Sequence, residues 1–336
     1  MLHFNELPFK ALFYHHDGKT NGPKSSGGPI GRSICEIRTK STPASFVDFD
    51  PIPGPELKID DELLVNEDQK YFYLICLLVM NGIGCLNNLG ASFSKKLPGA
   101  ISNARWLTTA SSILYLYVTT KKPTKKLIRV VTYIINVYAP TFFKVKKDFL
   151  VQNGAIIYCE TLVRARECLT DAEFKKVQKS FKTNSYMATS EYILLAGILD
   201  ENPEIRQKSM ELILKARDMH KNDVRKYELP KAYLKLDSAT HYFDLLDFDE
   251  LPVRFLTAPP LLQEYSDEDI IKAASKELEL DLPKIPLHSQ NCERAVAATT
   301  FASQKAIGTQ KRHEFLLNLQ ANRDKIKTQA KKDQYF

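Results

Sequence analysis

Seven residues near the C-terminus, His288-Ser289-Gln290-Asn291-Cys292-Glu293-Arg294, combine the residue types that most readily do chemistry. The spacing places Glu293 about one turn inside a helix that opens after the run Leu282-Pro283-Lys284-Ile285-Pro286. A carboxylate fixed on a rigid element beside a loop suits a divalent cation. The plainer reading is a helix-N-terminal acid favoured by the dipole, with Ser289 as its cap. One carboxylate cannot organise a pair of metal ions, so no metal is expected without further ligands.

Basic residues are the second kind of candidate, on a chain of net charge +7. Lys121, Lys122, Lys125, Lys126, Arg129, Lys144, Lys146 and Lys147 share their window with a single acid, Asp148. Lys305, Lys311, Arg312, Arg323, Lys325, Lys327, Lys331 and Lys332 make a second basic stretch, and the chain between Asp244 and Asp281 is acidic. Basic clusters on helices neutralise phosphates; the alternative for each is a solvated helix face. The groups at 121–126 and 144–147 flank a helix and turn, a placement that lets them share one face. Other candidates carry less. His15-His16 and His220 have no ligand partner one helical turn away. Asp244, Asp247, Asp249 and Glu250 lack the glycine of a calcium loop and read as a solvated turn. Asp17 before Gly18 reads as a turn residue. No GxGxxG, Walker loop, GxSxG or HExxH occurs.

The elements that must position these residues read as helices. Apolar content of 44% and charged content of 26% are those of a globular chain, and glycines are few at 13. Six scattered cysteines without a CxxC pair fit reduced intracellular thiols. No apolar run spans a bilayer, and residues 1–60 read as a short helix from Pro8 to Tyr14 followed by a Gly/Pro-rich loop. Helical spacing then runs through 61–230. It gives helices ending at Asn81-Gly82, from Ser102 to Thr119, from Thr124 to Tyr138 ahead of Pro140, and from about Phe143 to Cys168. Further helices start at Asp171, Ser190 and the Asn202-Pro203-Glu204 cap. Residues 231–281 read as an extended linker, with short pieces at Ala232–Leu236 and Val253–Thr257, and an acidic helix capped at Ser266. Residues 282–336 read as a C-terminal helix with a basic tail. The expected fold is mainly α.

Several segments resemble a family of mobile-element proteins in animal genomes: His3-Phe4-Asn5-Glu6-Leu7-Pro8, Asp17-Gly18-Lys19-Thr20-Asn21-Gly22-Pro23, Arg105-Trp106-Leu107-Thr108-Thr109-Ala110, Val137-Tyr138-Ala139-Pro140, and His288 to Arg294. Those proteins look like transposases with an RNase H-like core, distantly similar to the hAT type. The resemblance implies a large helical insertion that opens near Arg105-Trp106 and a third metal-binding carboxylate at Glu293, followed by Arg294. It implies that Arg105 contacts a phosphate and that Trp106 lies near a flipped base, against the plainer reading of Trp106 as a core anchor. In that family the core strands and two catalytic aspartates precede the His3 to Pro8 segment. The expectation is therefore a multi-helical insertion-type domain with a C-terminal helix, its RNase H-like core sheet largely absent. Such a transposase-derived fragment would be inactive alone, taking Mg2+ or Mn2+ only if completed by the missing core. Arg105, Lys121, Lys122, Lys125, Lys126, Lys144, Lys146, Lys147 and Arg294 are the expected DNA-binding residues, in an intracellular and nuclear protein. Its partners would be DNA, itself, or the missing N-terminal half. The alternatives are a helical interaction scaffold without a nucleic-acid role, or half of a split metal-dependent transposase or nuclease.

Overall fold

A computed structural model describes residues 2–19, 27–40, 42–57, 59, 66–89, 93–99, 105–147, 153–184, 190–219, 228–234, 246–254 and 265–282. The chain divides into two units, Met1–Leu287 and His288–Phe336, and the second lies wholly outside the described residues. The first unit is mainly α. Its helices are α1 (Leu2–Asp17), α2 (Pro29–Thr39), α3 (Glu67–Asn81), α4 (Arg105–Val118), α5 (Lys125–Tyr133), α6 (Ala139–Lys147), α7 (Gly154–Cys168), α8 (Asp171–Asn184), α9 (Ser190–Ile198), α10 (Pro203–Met219) and α11 (Asp267–Ala274). The strands β1 (Glu228–Leu234) and β2 (Leu246–Arg254) form an antiparallel pair, with Glu228 opposite Arg254, Leu234 opposite Leu246 and an irregularity between Pro230 and Ala232. They include part of each extended piece expected from the sequence. Asp247, Asp249 and Glu250 thus belong to a strand rather than a turn, and Asp244 lies outside the described residues.

Capping chemistry explains four of the helix starts. Asn66 Oδ1 accepts from Gln69 N–H at 3.0 Å, and Thr124 Oγ1 from Leu127 N–H at 3.2 Å. Thr170 and Glu173 form a reciprocal capping pair ahead of α8, as do Ser266 and Asp269 ahead of α11. Gly82 closes α3 at φ +78°, a conformation that side chains resist.

Two readings of the sequence are corrected. Residues 15–60 are not all loop, because α2 occupies Pro29–Thr39. Its first turn is satisfied from outside: Asp17 Oδ1 accepts from Ile30 N–H at 2.8 Å and Asp17 Oδ2 from Gly31 N–H at 2.7 Å. A carboxylate on another helix caps it, and no local pattern signals that. Pro140 does not end the third helix either. A π-helical turn, Ile134–Tyr138, joins α5 to α6 without a break, the Ala139 N–H reaching back five residues to Ile134 O. The widened turn takes the proline ring, which in a regular helix would strike the carbonyl four residues back. The rod from Lys125 to Lys147 is therefore about 34 Å long.

The core of this unit draws on α1 and α2 as well as the later helices. Trp106 is 1% exposed, with Phe9 edge-on at 5.6 Å and Phe13 and Tyr14 within 6.3 Å, so it is the core anchor and not a surface ring. The extended segment 42–57 lies across α3, α4 and the rod. Val47 N–H donates to Val118 O, Ile52 N–H to Val79 O, Tyr117 Oη to Asp50 O and Asn136 Nδ2 to Pro53 O, while Phe49, Ile52 and Leu57 are buried.

Candidate nucleic-acid interface

The two lysine groups expected to share a face stand at opposite ends of the rod. Lys121 and Lys122 lie on the bend after α4, and Lys125 and Lys126 in the first turn of α5; all four are exposed. That turn contains no acid, and none of the four is paired among the described residues. Thr119 and Thr120 hydroxyls are turned inward onto the carbonyls of Tyr115 and Leu116, closing α4 just before the lysines. A helix N-terminus is electropositive, so ammonium groups there oppose the dipole at about 0.3–1 kcal/mol each when exposed. The arrangement favours any anion that sits between them.

The far end differs. Lys144 Nζ is bound by both Glu160 oxygens, at 2.8 and 2.6 Å. Lys146 is 9% exposed and reaches Gln69 Oε1, and burial pushes its ammonium below the usual lysine range. Only Lys147 of this group is an exposed charge. The group looks like a cluster in the sequence because its acid partner lies 16 residues away.

A buried ionic cluster fixes the rod one turn beyond the exposed lysines. Arg129 of α5 holds Glu173 of α8 with two hydrogen bonds, the Nε bond at 3.1 Å. Thr170 N–H and Oγ1–H each donate to Glu173 Oε2 at 2.8 Å, and His16 Nε2 of α1 lies 2.8 Å from Oε1. Glu173 is 3% exposed. Burial alone would raise its carboxyl, but Arg129 and Thr170 overcome that and hold it at about 2. Burial lowers the His16 imidazole; Glu173 opposes the shift, while His15 and Arg129 add to it. Arg129 is thus withdrawn from the basic cluster in which the sequence placed it. The Thr170-to-Glu173 spacing is a recognisable capping signature; the reach to Arg129 and His16 is not.

The remaining candidates are outside this geometry. Arg105 opens α4, but its side chain is not among those described, and Glu293 and Arg294 lie outside the described residues. Among the described residues no three His, Cys, Asp or Glu side chains are grouped to hold a metal ion. Among them, too, no helix is long and apolar enough to cross a membrane. No family model matches the chain, and neither a curated protein nor a solved structure matches it.

Proposed function

We propose that this chain is a transposase-derived, helix-rich nuclear protein that holds DNA weakly through its phosphates. The observation that carries this reading is the tip of α5, where four exposed lysines, none paired among the described residues, lie on or just before the first turn of a helix. Such an arrangement costs stability in isolation, and phosphate relieves it twice, by neutralising ammonium charge and by meeting the helix N-terminus. The transposase resemblance supplies the polyanion of choice. The part-buried Arg129–Glu173 pair supports the reading by anchoring α5 so that the tip is presented on a rigid element.

Gel-shift titration of the full chain against duplex and hairpin DNA at low salt tests this. Weak, salt-sensitive retardation is expected. No retardation of any duplex or hairpin leaves the protein as a helical interaction scaffold. Incubation with Mg2+ or Mn2+ belongs in the same experiment: metal-dependent nicking abolished by Glu293→Gln would make Glu293 a ligand and the protein a nuclease.

A further inference from the structure

The chemistry of the α5 tip also selects the form of nucleic acid; this step rests on the DNA reading above. We infer that residues Lys121, Lys122, Lys125 and Lys126 take the paired phosphate backbones of a duplex in preference to a single strand, from one end of the rod only.

Three observations carry it. Along its two helices the tip offers ammonium groups and no exposed aromatic ring: Tyr115, Tyr117 and Tyr133 are 1%, 2% and 0% exposed. Tyr115 Oη accepts from Ala44 N–H at 2.6 Å and Tyr117 Oη donates to Asp50 O at 2.6 Å, so both rings are tied beneath the extended segment 42–57. Single-strand binding draws on bases stacked against aromatic or guanidinium planes. Arg129, one turn along α5 from Lys125, is held by Glu173, which also removes its planar fork from reading guanine edges bidentately. What remains responds to charge density, and a duplex carries about one charge per 1.7 Å of axis, twice that of one of its strands. The third observation is the far end of the rod, where Lys144 is neutralised by Glu160 and Lys146 is buried on Gln69. On the rod itself, contact is therefore confined to this one end.

Fluorescence anisotropy of the full chain tests this, using short duplexes of two unrelated sequences and their separated strands. Four phosphate contacts give a salt slope of about −3.6, so the tip accounts for a loss of roughly 150-fold between about 50 and 200 mM salt. The combined variant Lys121→Gln, Lys122→Gln, Lys125→Gln and Lys126→Gln removes that component, weakens duplex binding more than single-strand binding, and acts equally on both sequences. Lys144→Gln leaves the slope unchanged. The combined variant keeps or raises the melting temperature, because cations leave the positive end of a helix, so a folding defect is separable. Equal or stronger weakening of single-strand binding overturns the inference, as does an unchanged slope or a tenfold difference between the two sequences. The first and last leave the DNA reading standing, an unchanged slope takes away the tip that carries it, and absence of binding to every duplex and strand overturns both.

Discussion

Glu173 concentrates more of this unit's specificity than any other described carboxylate. It is 3% exposed and joins α1, α5 and α8 through His16, Arg129 and its own cap residue Thr170. Glu173→Gln removes the charge while leaving the guanidinium beside it, and is expected to cost about 2–4 kcal/mol; the low end reflects an Arg129 side chain that is 33% exposed. Acid should reveal the same group. Its carboxyl sits at about 2 when folded against 4.5 unfolded, so its contribution is present above 4.5 and is lost as pH falls toward 2. His16 acts earlier: its folded value is below the unfolded 6.5, so the unfolded chain takes the proton first and stability declines as pH drops below 6.5. Thermal melts of the wild type across this range should show both declines, and Glu173→Gln should flatten the lower one. An unchanged acid profile in the variant would assign acid lability to other carboxylates.

Among the elements, the rod and the segment laid over it hold each other in place. At Gly54 they approach closely: a Cβ there would stand 2.5 Å from Ile135 Cγ2, in the π turn. Gly54→Ala should therefore push segment 42–57 outward and destabilise by about 1–3 kcal/mol. Gly84→Ala, where nothing lies within 4 Å of the added carbon, serves as the control, and equal melting temperatures for the two variants would contradict the close approach. This scale also separates what was legible in the sequence from what was not. Asn202-Pro203, Ser266 and Thr124 announce their helices through side chains that bond within three residues, and the periodic apolar positions of α3 give its buried face, whereas α4 is buried all round from Trp106 to Tyr115, with Thr108, Thr109, Ser111 and Ser112 included. The π turn is set by a proline whose penalty is avoided only by a non-standard turn, which reads in the sequence as a helix end. The α2 start depends on Asp17, 13 residues from the amide it caps, and a local pattern cannot carry that distance. For the same reason the lysines of the α5 tip were legible as charge, whereas the neutralisation of Lys144 by Glu160 was not.

At the scale of the whole first unit, the N-terminal helix is part of the core and not an appendage. Phe9 is 0% exposed and touches Trp106, Tyr133 and Tyr138, with ring centroids at 5.6, 6.3 and 4.9 Å, so α1 shares one aromatic cluster with α4, α5 and the π turn. Asn5 Nδ2 adds a bond to Tyr138 O at 2.9 Å. A helix seated this way melts with its neighbours. Phe9→Ala is expected to cost about 3–5 kcal/mol through lost burial and the cavity it leaves. The chain's single tryptophan makes the cooperativity measurable, since Trp106 emission reports the core beside Phe9 while far-ultraviolet circular dichroism reports helix throughout. A helix-dominated spectrum is expected, and in the variant both signals should shift to a lower temperature together. If Trp106 emission changed well before the helical signal, α1 would be a separately melting element, and its aromatic contacts would not bind the first unit into one cooperative core.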